Sequence, residues 1–158
     1  MPTATDVLDA VARKYSRCAL IREVCVTDAE AIERLDAWRQ DEWLSSPRPA
    51  TPTMRRIDGL LLDGGGRRTA IEVKISRSDF ARESEEKRRP WRKITHRFVY
   101  ATPAGLLQRY EIPDGCGLWE VGEAGRVHVS VRARINRDPE PIPHQVLVAL
   151  AYRLKAAS

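Results

Sequence analysis

The chain has 158 residues, 42% of them hydrophobic, which suits a single globular domain with one core. Its 27 Lys and Arg residues against 22 Asp and Glu residues give a formal charge of +5, a mild bias toward polyanions. No apolar run reaches the roughly 18 residues of a membrane span, and the start of the chain lacks the basic and apolar regions of a signal peptide. We therefore predict a cytoplasmic protein with no membrane partner. The three scattered cysteines argue against a disulfide framework and against a cysteine-based zinc site.

The first third of the chain predicts a helix, a strand and a second helix. Apolar residues at helical spacing predict the first helix over about 5–16, and "CALIREVCV" at 18–26 is typical of a strand. A capping-box pattern follows, and the helix that it begins extends to near Ser45. A proline-rich loop comes next, so residues of about 27–53 are interpreted as a helical insertion.

The middle of the chain predicts a hairpin, a helix and a strand. "RRIDGLLLDGGGRRTAIEVKIS", residues 55–76, has the alternation and the glycine-rich turn of a β-hairpin. A strongly charged helix follows, which Pro90 either stops or kinks. "HRFVYATPAG" is then typical of a further strand.

The last part of the chain, about 117–156, predicts a second hairpin and a closing helix. "GLWEVGEAGRVHVSVRAR" alternates around a turn, and the helix after it is apolar on several sides, so we expect that helix to be largely buried. The order of elements predicts one α/β domain over 1–158, with a mixed β-sheet flanked by helices.

The first hairpin places charged residues on one of its faces. If its loop is centred on Gly65, Asp58 lies opposite Glu72 and Arg56 lies opposite Lys74. Alternation predicts that the charged face is separate from an apolar face formed by Ile57, Leu61, Ile71, Val73 and Ile75.

Two interpretations of the opposed carboxylates are open. With Cβ atoms about 5 Å apart, Asp58 and Glu72 repel each other by roughly 3 kcal/mol at an effective dielectric near 20. A hard divalent cation bound between the two carboxylates would make the interaction favourable. Alternatively, Arg56 and Lys74 neutralise the two acids as surface ion pairs worth about 0 to 1 kcal/mol each.

The hairpin also resembles a known catalytic signature. An aspartate on one strand followed by "IEVK" on the next is similar to the motif of the PD-(D/E)XK nuclease superfamily. The blocks "RRID", "EVKISRSDF", "HRFVYATPAGLL" and "IPDGCGLWEV" resemble, in that order, the MmcB-like branch of DNA repair proteins. This similarity covers about residues 55–121.

The resemblance implies a restriction-endonuclease-like sheet with an α-β-β-β-α-β core and metal-dependent phosphodiester cleavage. By position, Asp58, Glu72 and the backbone carbonyl of Val73 would bind Mg²⁺ or Mn²⁺. Lys74 would hold the attacking water and stabilise charge on the phosphate. Some members add a further acid to the metal site, for which Glu23 is the candidate here.

A basic segment, "EEKRRPWRKITHR", follows the hairpin and predicts contact with DNA. Its cations would bind phosphates, and Trp91 would stack on an unpaired base. Alternatively, the neighbouring glutamates pair with these cations internally, or Trp91 packs under the sheet. The predicted DNA contacts are Arg55, Arg56, Lys87, Arg88, Arg89, Trp91, Arg92 and Lys93.

The sequence thus predicts a metal-dependent DNA nuclease, linked to DNA repair or processing. The alternatives are a non-catalytic DNA-binding or scaffolding module on the same fold and, more weakly, an enzyme directed at RNA. A protein that cuts both strands of a duplex is also expected to act as a homodimer.

Overall fold

A mixed sheet of six strands forms the centre of the computed structural model, which describes residues 1–41, 46–50 and 52–158. The strands lie side by side in chain order. The first three are antiparallel, the third to fifth are parallel, and the sixth is antiparallel to the fifth. The predicted mixed α/β sheet flanked by helices is therefore confirmed. The strands are β1 (Ala19–Thr27), β2 (Met54–Leu62), β3 (Arg68–Val73), β4 (Arg97–Pro103), β5 (Gly117–Val121) and β6 (Val127–Val131).

The described part of the chain contains five α-helices. Apart from α2, which is inserted between β1 and β2, the main helices and strands begin in the predicted order α-β-β-β-α-β. The predicted end of the second helix near Ser45 lies outside the described residues, and α2 as described ends at Gln40. None of the described helices is long and apolar enough to cross a membrane. The helices are α1 (Ala4–Lys14), α2 (Ala29–Gln40), α3 (Arg77–Phe80), α4 (Glu85–Ile94) and α5 (His144–Ala157).

Helices cover both faces of the sheet, and each face has its own apolar cluster. The α1-side cluster contains Val7 and Val11 of α1 against Ile71, Val99 and Trp119 of the strands. The α4-side cluster, on the opposite face, consists chiefly of Ile57, Leu60, Ala70, Trp91, Ile94, Phe98, Tyr100 and Leu118.

This double coverage corrects the predicted separation of an apolar face from a charged face. Leu61, Ile71 and Val73 do pack on the α1 side, but Ile57 packs in the α4-side cluster, and Ile75 lies beyond β3 and is 39% exposed. The prediction assumed a sheet with one solvated face, whereas strands covered on both faces bury residues on both. It also assumed unbroken alternation, but the β1–β2 pairing is interrupted at Glu23, whose φ is 51°, and Ile57 and Leu61 pack on opposite faces.

The charged helix predicted after the hairpin is in fact two helices. Ser76 caps the short α3, and Ser84 caps α4, which continues through Pro90 to Ile94. Proline inside a helix removes one backbone hydrogen bond. Here Pro90 is buried together with Trp91 and Ile94, so packing against the sheet offsets that loss.

The closing helix α5 is not largely buried, contrary to the prediction. Val146 is its only buried residue, whereas Tyr152 is 67% exposed and Leu154 is 72% exposed. The reason is its position, because α5 contacts β1 at the edge of the sheet instead of covering a face. The hairpin before it is confirmed, since β5 and β6 pair antiparallel.

Candidate functional site

The β2–β3 hairpin has the predicted register. Gly59 pairs with Ile71 and Leu60 with Ala70, and Asp58 and Glu72 are the residues directly beyond the end of this pairing. Oδ2 of Asp58 accepts a hydrogen bond from the backbone N–H of Val73 at 2.8 Å. This bond fixes the Asp58 carboxylate at the end of β3.

Glu72 occupies the centre of the site. On β3 it faces Tyr100 of the parallel strand β4, so its side chain lies on the α4 side of the sheet. Burial, followed by repulsion from Asp58, raises the pKa of Glu72 to about 7. Burial also raises the pKa of Asp58, partly offset by the hydrogen bond from Val73. The two carboxyl groups therefore resist holding two negative charges at once.

Lys74 lies directly after β3, and its side chain is only 5% exposed. Its Nζ lies 3.0 Å from Oε1 of Glu72, 2.8 Å from Oε1 of Glu83 and 3.7 Å from Oδ2 of Asp79. Burial alone would lower the pKa of Lys74, but Glu72 and Glu83 outweigh it and raise that pKa. The Lys74 ammonium is therefore fixed in position by the three carboxylates that surround it.

Glu83 is a member of the site that the sequence did not single out. Its side chain is 6% exposed, and besides Lys74 it binds Tyr100, whose hydroxyl donates to Oε2 at 2.9 Å. Nη1 of Arg88 donates in turn to the Tyr100 hydroxyl at 3.1 Å. In the sequence Glu83 is one of several glutamates before α4, and only the turn between α3 and α4 directs it to Lys74.

A pocket of about 230 Å³ opens beside these groups. Its polar lining comes from the carboxylates and from cations of β2 and α4, and its apolar lining comes from the α4-side cluster. The lining residues are Met54, Arg55, Arg56, Ile57, Asp58, Glu72, Glu83, Lys87, Trp91 and Phe98.

The structure does not bring Glu23 into this site, which corrects its candidacy as a metal ligand. Its side chain is 68% exposed and pairs with Nη1 of Arg56 at 3.6 Å. The backbone of Glu23 has φ of 51°, and the regular β1–β2 pairing is interrupted at this residue. That local conformation sends the side chain to solvent.

The donor set that remains consists of Asp58, Glu72 and the Val73 carbonyl. Among the described residues, no group of three or more His, Cys, Asp or Glu side chains is arranged to hold a metal ion. Mg²⁺ usually binds one or two protein carboxylates and keeps several waters, so the pair fits such an ion. The raised pKa of Glu72 supports this fit, because a divalent cation would relieve the repulsion that causes part of it.

The structure corrects the predicted role of Trp91. The ring is 1% exposed in the α4-side cluster, and its Nε1 donates to the backbone oxygen of Arg55 at 3.1 Å. Trp91 is therefore a core residue and has no free face on which a base could stack.

Most cations of the basic segment are paired internally, as the alternative interpretation anticipated. Arg88 is 7% exposed and bonds to Tyr100 and Glu85, so it is not a surface phosphate contact. The other paired cations of the predicted DNA surface are Arg55 with Asp28, Arg56 with Glu23, Arg89 with Asp28 and Glu30, Arg92 with Glu85, and Lys93 with Glu30. Arg56 and Lys87 are exposed and line the pocket.

Comparison with known proteins identifies the fold alone. No family model matches the chain, and no curated protein matches it. A solved structure described as the SPO1766 protein of unknown function from Silicibacter pomeroyi matches 99% of this chain and 92% of its own, with a TM-score of 0.60 and 17% identity. The two chains therefore share an architecture.

Proposed function

We propose that the protein is a divalent-metal-dependent nuclease of the PD-(D/E)XK type that acts on DNA in repair or processing. The observation that carries the proposal is the grouping of Asp58, Glu72 and Lys74 at the end of one hairpin, where burial and mutual repulsion raise the pKa of Glu72 to about 7. A structural ion pair alone does not require two carboxylates this close together.

Each residue of the group has a defined task. Asp58, held by the Val73 N–H, and Glu72 would bind Mg²⁺ or Mn²⁺ together with the Val73 carbonyl. The bound ion would supply Lewis acidity and activate water. Lys74 would orient the water and donate to the phosphate oxygen on which negative charge develops. Arg56 and Lys87, exposed at the pocket, would contact neighbouring phosphates.

A second candidate function is a non-catalytic DNA-binding or scaffolding module. The specific observation in its favour is that the Lys74 ammonium already contacts three carboxylates and its side chain is 5% exposed, as in a structural ion-pair cluster. In that case binding to DNA persists in EDTA, and no metal supports cleavage.

The test is cleavage of labelled single-stranded, duplex and branched DNA, and of RNA, with Mg²⁺, Mn²⁺ or EDTA. We expect metal-dependent cleavage of DNA that falls by at least about 100-fold in Asp58→Asn, Glu72→Gln and Lys74→Ala. Glu33→Gln, an exposed change on α2, should keep full activity. Circular dichroism must show that each variant is folded, because Lys74→Ala leaves the buried Glu83 without its cation. Undiminished cleavage in the three folded variants would sink the proposal.

Two further parts of the proposal concern setting and assembly. We place the protein in the cytoplasm, and for cleavage of both strands of a duplex we propose a homodimer. Sedimentation of the protein with and without duplex DNA tests the proposed homodimer. If the protein cleaves both strands of a duplex and sediments as a monomer on that DNA, the homodimer is contradicted.

A further inference from the structure

A second pocket lies on the opposite face of the sheet from the carboxylates. It has a volume of about 310 Å³, which is at the lower end of the range for small-ligand sites. Its floor is apolar, with Tyr15, Trp119 and Ile135 among the residues that line it, and two arginines, Arg97 and Arg132, complete the lining. We call it the Tyr15–Trp119 pocket.

The pocket exists because α1 covers only part of its face of the sheet. The helix ends at Lys14, and Tyr15 follows as its C-cap. The Tyr15 ring stacks on Trp119 of β5, with centroids 4.9 Å apart and an angle of 27° between the rings. Beyond this pair, the lining of the pocket continues to Arg97 at the beginning of β4.

The two arginines differ from those of α4 in having no acidic partner. Within residues 1–41, 46–50 and 52–158, no carboxylate lies within ion-pair distance of Arg97 or Arg132. Arg132 is exposed and Arg97 is half-buried, so both can reach a ligand. No carboxylate among the described residues therefore neutralises these two guanidinium groups through an ion pair.

The surroundings of Arg97 add further positive charge. The neighbouring His96 has a pKa lowered first by burial, and then by the Arg68 and Arg67 guanidinium groups, with a contribution from Arg97. Asp63 is the acid that opposes this effect, and it already accepts hydrogen bonds from its own turn. Within the pocket itself, an anion meets Arg97 and Arg132, and no Asp or Glu is among the residues that line it.

We propose that the Tyr15–Trp119 pocket binds one nucleotide unit, with Arg97 and Arg132 on its phosphate and the apolar floor under its sugar and base. Arginine is suited to this role because its planar guanidinium donates to two phosphate oxygens at once. The pocket volume admits a unit of this small size. The inference goes beyond the proposed nuclease function and does not depend on it, because the carboxylate site lies on the other face.

The same chemistry has two sources, a free nucleotide or one unit of a nucleic-acid strand. Titrations in EDTA with AMP, with dTMP and with a fluorescein-labelled 12-nucleotide oligo-dT separate them without any cleavage. Calorimetry reports the binding of the mononucleotides, and fluorescence anisotropy reports the binding of the oligonucleotide. The indole N–H resonance of Trp119, assigned through Trp119→Phe, should shift on binding.

We expect a binding constant about tenfold weaker in each of the variants Arg97→Gln and Arg132→Gln. In each variant the slope of the logarithm of the binding constant against the logarithm of the salt concentration should fall by about the amount that one phosphate contact contributes. Arg109→Gln is the matched control, because Arg109 is also exposed and has no ion-pair partner in the part of the chain that the structure describes. It should weaken binding less than about twofold. Thermal unfolding of each variant checks that the fold is intact.

Binding of the oligonucleotide alone assigns the pocket to a strand, and binding of a mononucleotide assigns it to a free nucleotide. Either result supports the inference if both Arg97→Gln and Arg132→Gln weaken the binding by about tenfold. Equal weakening by Arg109→Gln, no shift of the Trp119 resonance, or no binding of any of the three probes overturns it.

Discussion

Glu72 is the residue whose ionisation most affects the site. Its pKa of about 7 lies above the ordinary value of 4.5, so the native state holds this proton more tightly than the unfolded chain does. The stability that this proton provides is fully present below about pH 4.5 and is lost as the pH rises through about 7. Above about pH 7, where Glu72 is ionised, the folded protein should therefore be less stable than at pH 5, and removal of this carboxylate should remove that loss of stability.

We predict that Glu72→Gln flattens the pH dependence of stability. The wild-type protein should lose on the order of 3 kcal/mol between pH 5 and pH 8 through this group, and the variant should not. Urea unfolding at both pH values in EDTA measures the difference. Glu33→Gln should follow the wild type. The same slope in Glu72→Gln and wild type would show that Glu72 is ionised normally.

At the scale of elements, Asp28 anchors the inserted helix α2. Its side chain is 2% exposed and accepts a hydrogen bond from the N–H of Ala31 at the start of the helix. It also lies 3.8 Å from Nε of Arg55 on β2 and 3.7 Å from Nη2 of Arg89 on α4. One carboxylate thus connects three elements beside the candidate site.

We expect Asp28→Ala to destabilise the protein by about 3 kcal/mol, because it removes a helix cap and leaves two poorly solvated arginines without their acid. Asp28→Asn should cost less, since the amide oxygen still caps α2. Asp36→Ala, at an exposed pair with Arg39 on the same helix, should change stability by less than about 0.5 kcal/mol. Urea denaturation of the three variants provides the measurement, and similar losses at positions 28 and 36 would contradict the anchoring role.

Over the whole molecule, the charged side chains form distinct groups on the two faces of the sheet. Four cations of α4, Arg88, Arg89, Arg92 and Lys93, pair with acids of α2, of its cap or of α4 itself. Three carboxylates gather around Lys74, and on the other face Arg97 and Arg132 have no carboxylate partner among the described residues. The net charge of +5 therefore does not describe the candidate site, where acids outnumber the cation that they surround.

This distribution predicts how a divalent cation acts on the whole fold. At pH 8 saturating Mg²⁺ should raise the unfolding temperature by about 5 °C, and at pH 5.5 it should raise it much less, because the ion must then displace the proton of Glu72. Asp58→Asn should abolish the effect at both pH values. Scanning calorimetry in Mg²⁺ and in EDTA measures this change of the unfolding temperature. If Mg²⁺ raises the unfolding temperature of Asp58→Asn as much as that of the wild type, the ion binds at another site.

The sequence by itself determined the mixed sheet, the β2–β3 register and the pair of Asp58 and Glu72. These features depend on alternation along a strand and on a glycine-rich turn, which act over a few residues and are visible in the order of amino acids. For the same reason the second hairpin and the strand after α4 lie where they were predicted.

Only the tertiary structure decided which charges are free and which apolar surfaces are covered. Lys93 meets Glu30 and Arg89 meets Asp28 across about sixty positions of sequence, and Trp91 is buried because α4 lies on a face of the sheet. The apolar helix α5 is exposed because it lies at the edge of the sheet. Glu83 reaches Lys74 through a turn between two helices that were predicted as one. Ion pairing and burial depend on which elements pack together, and elements distant in sequence make those contacts.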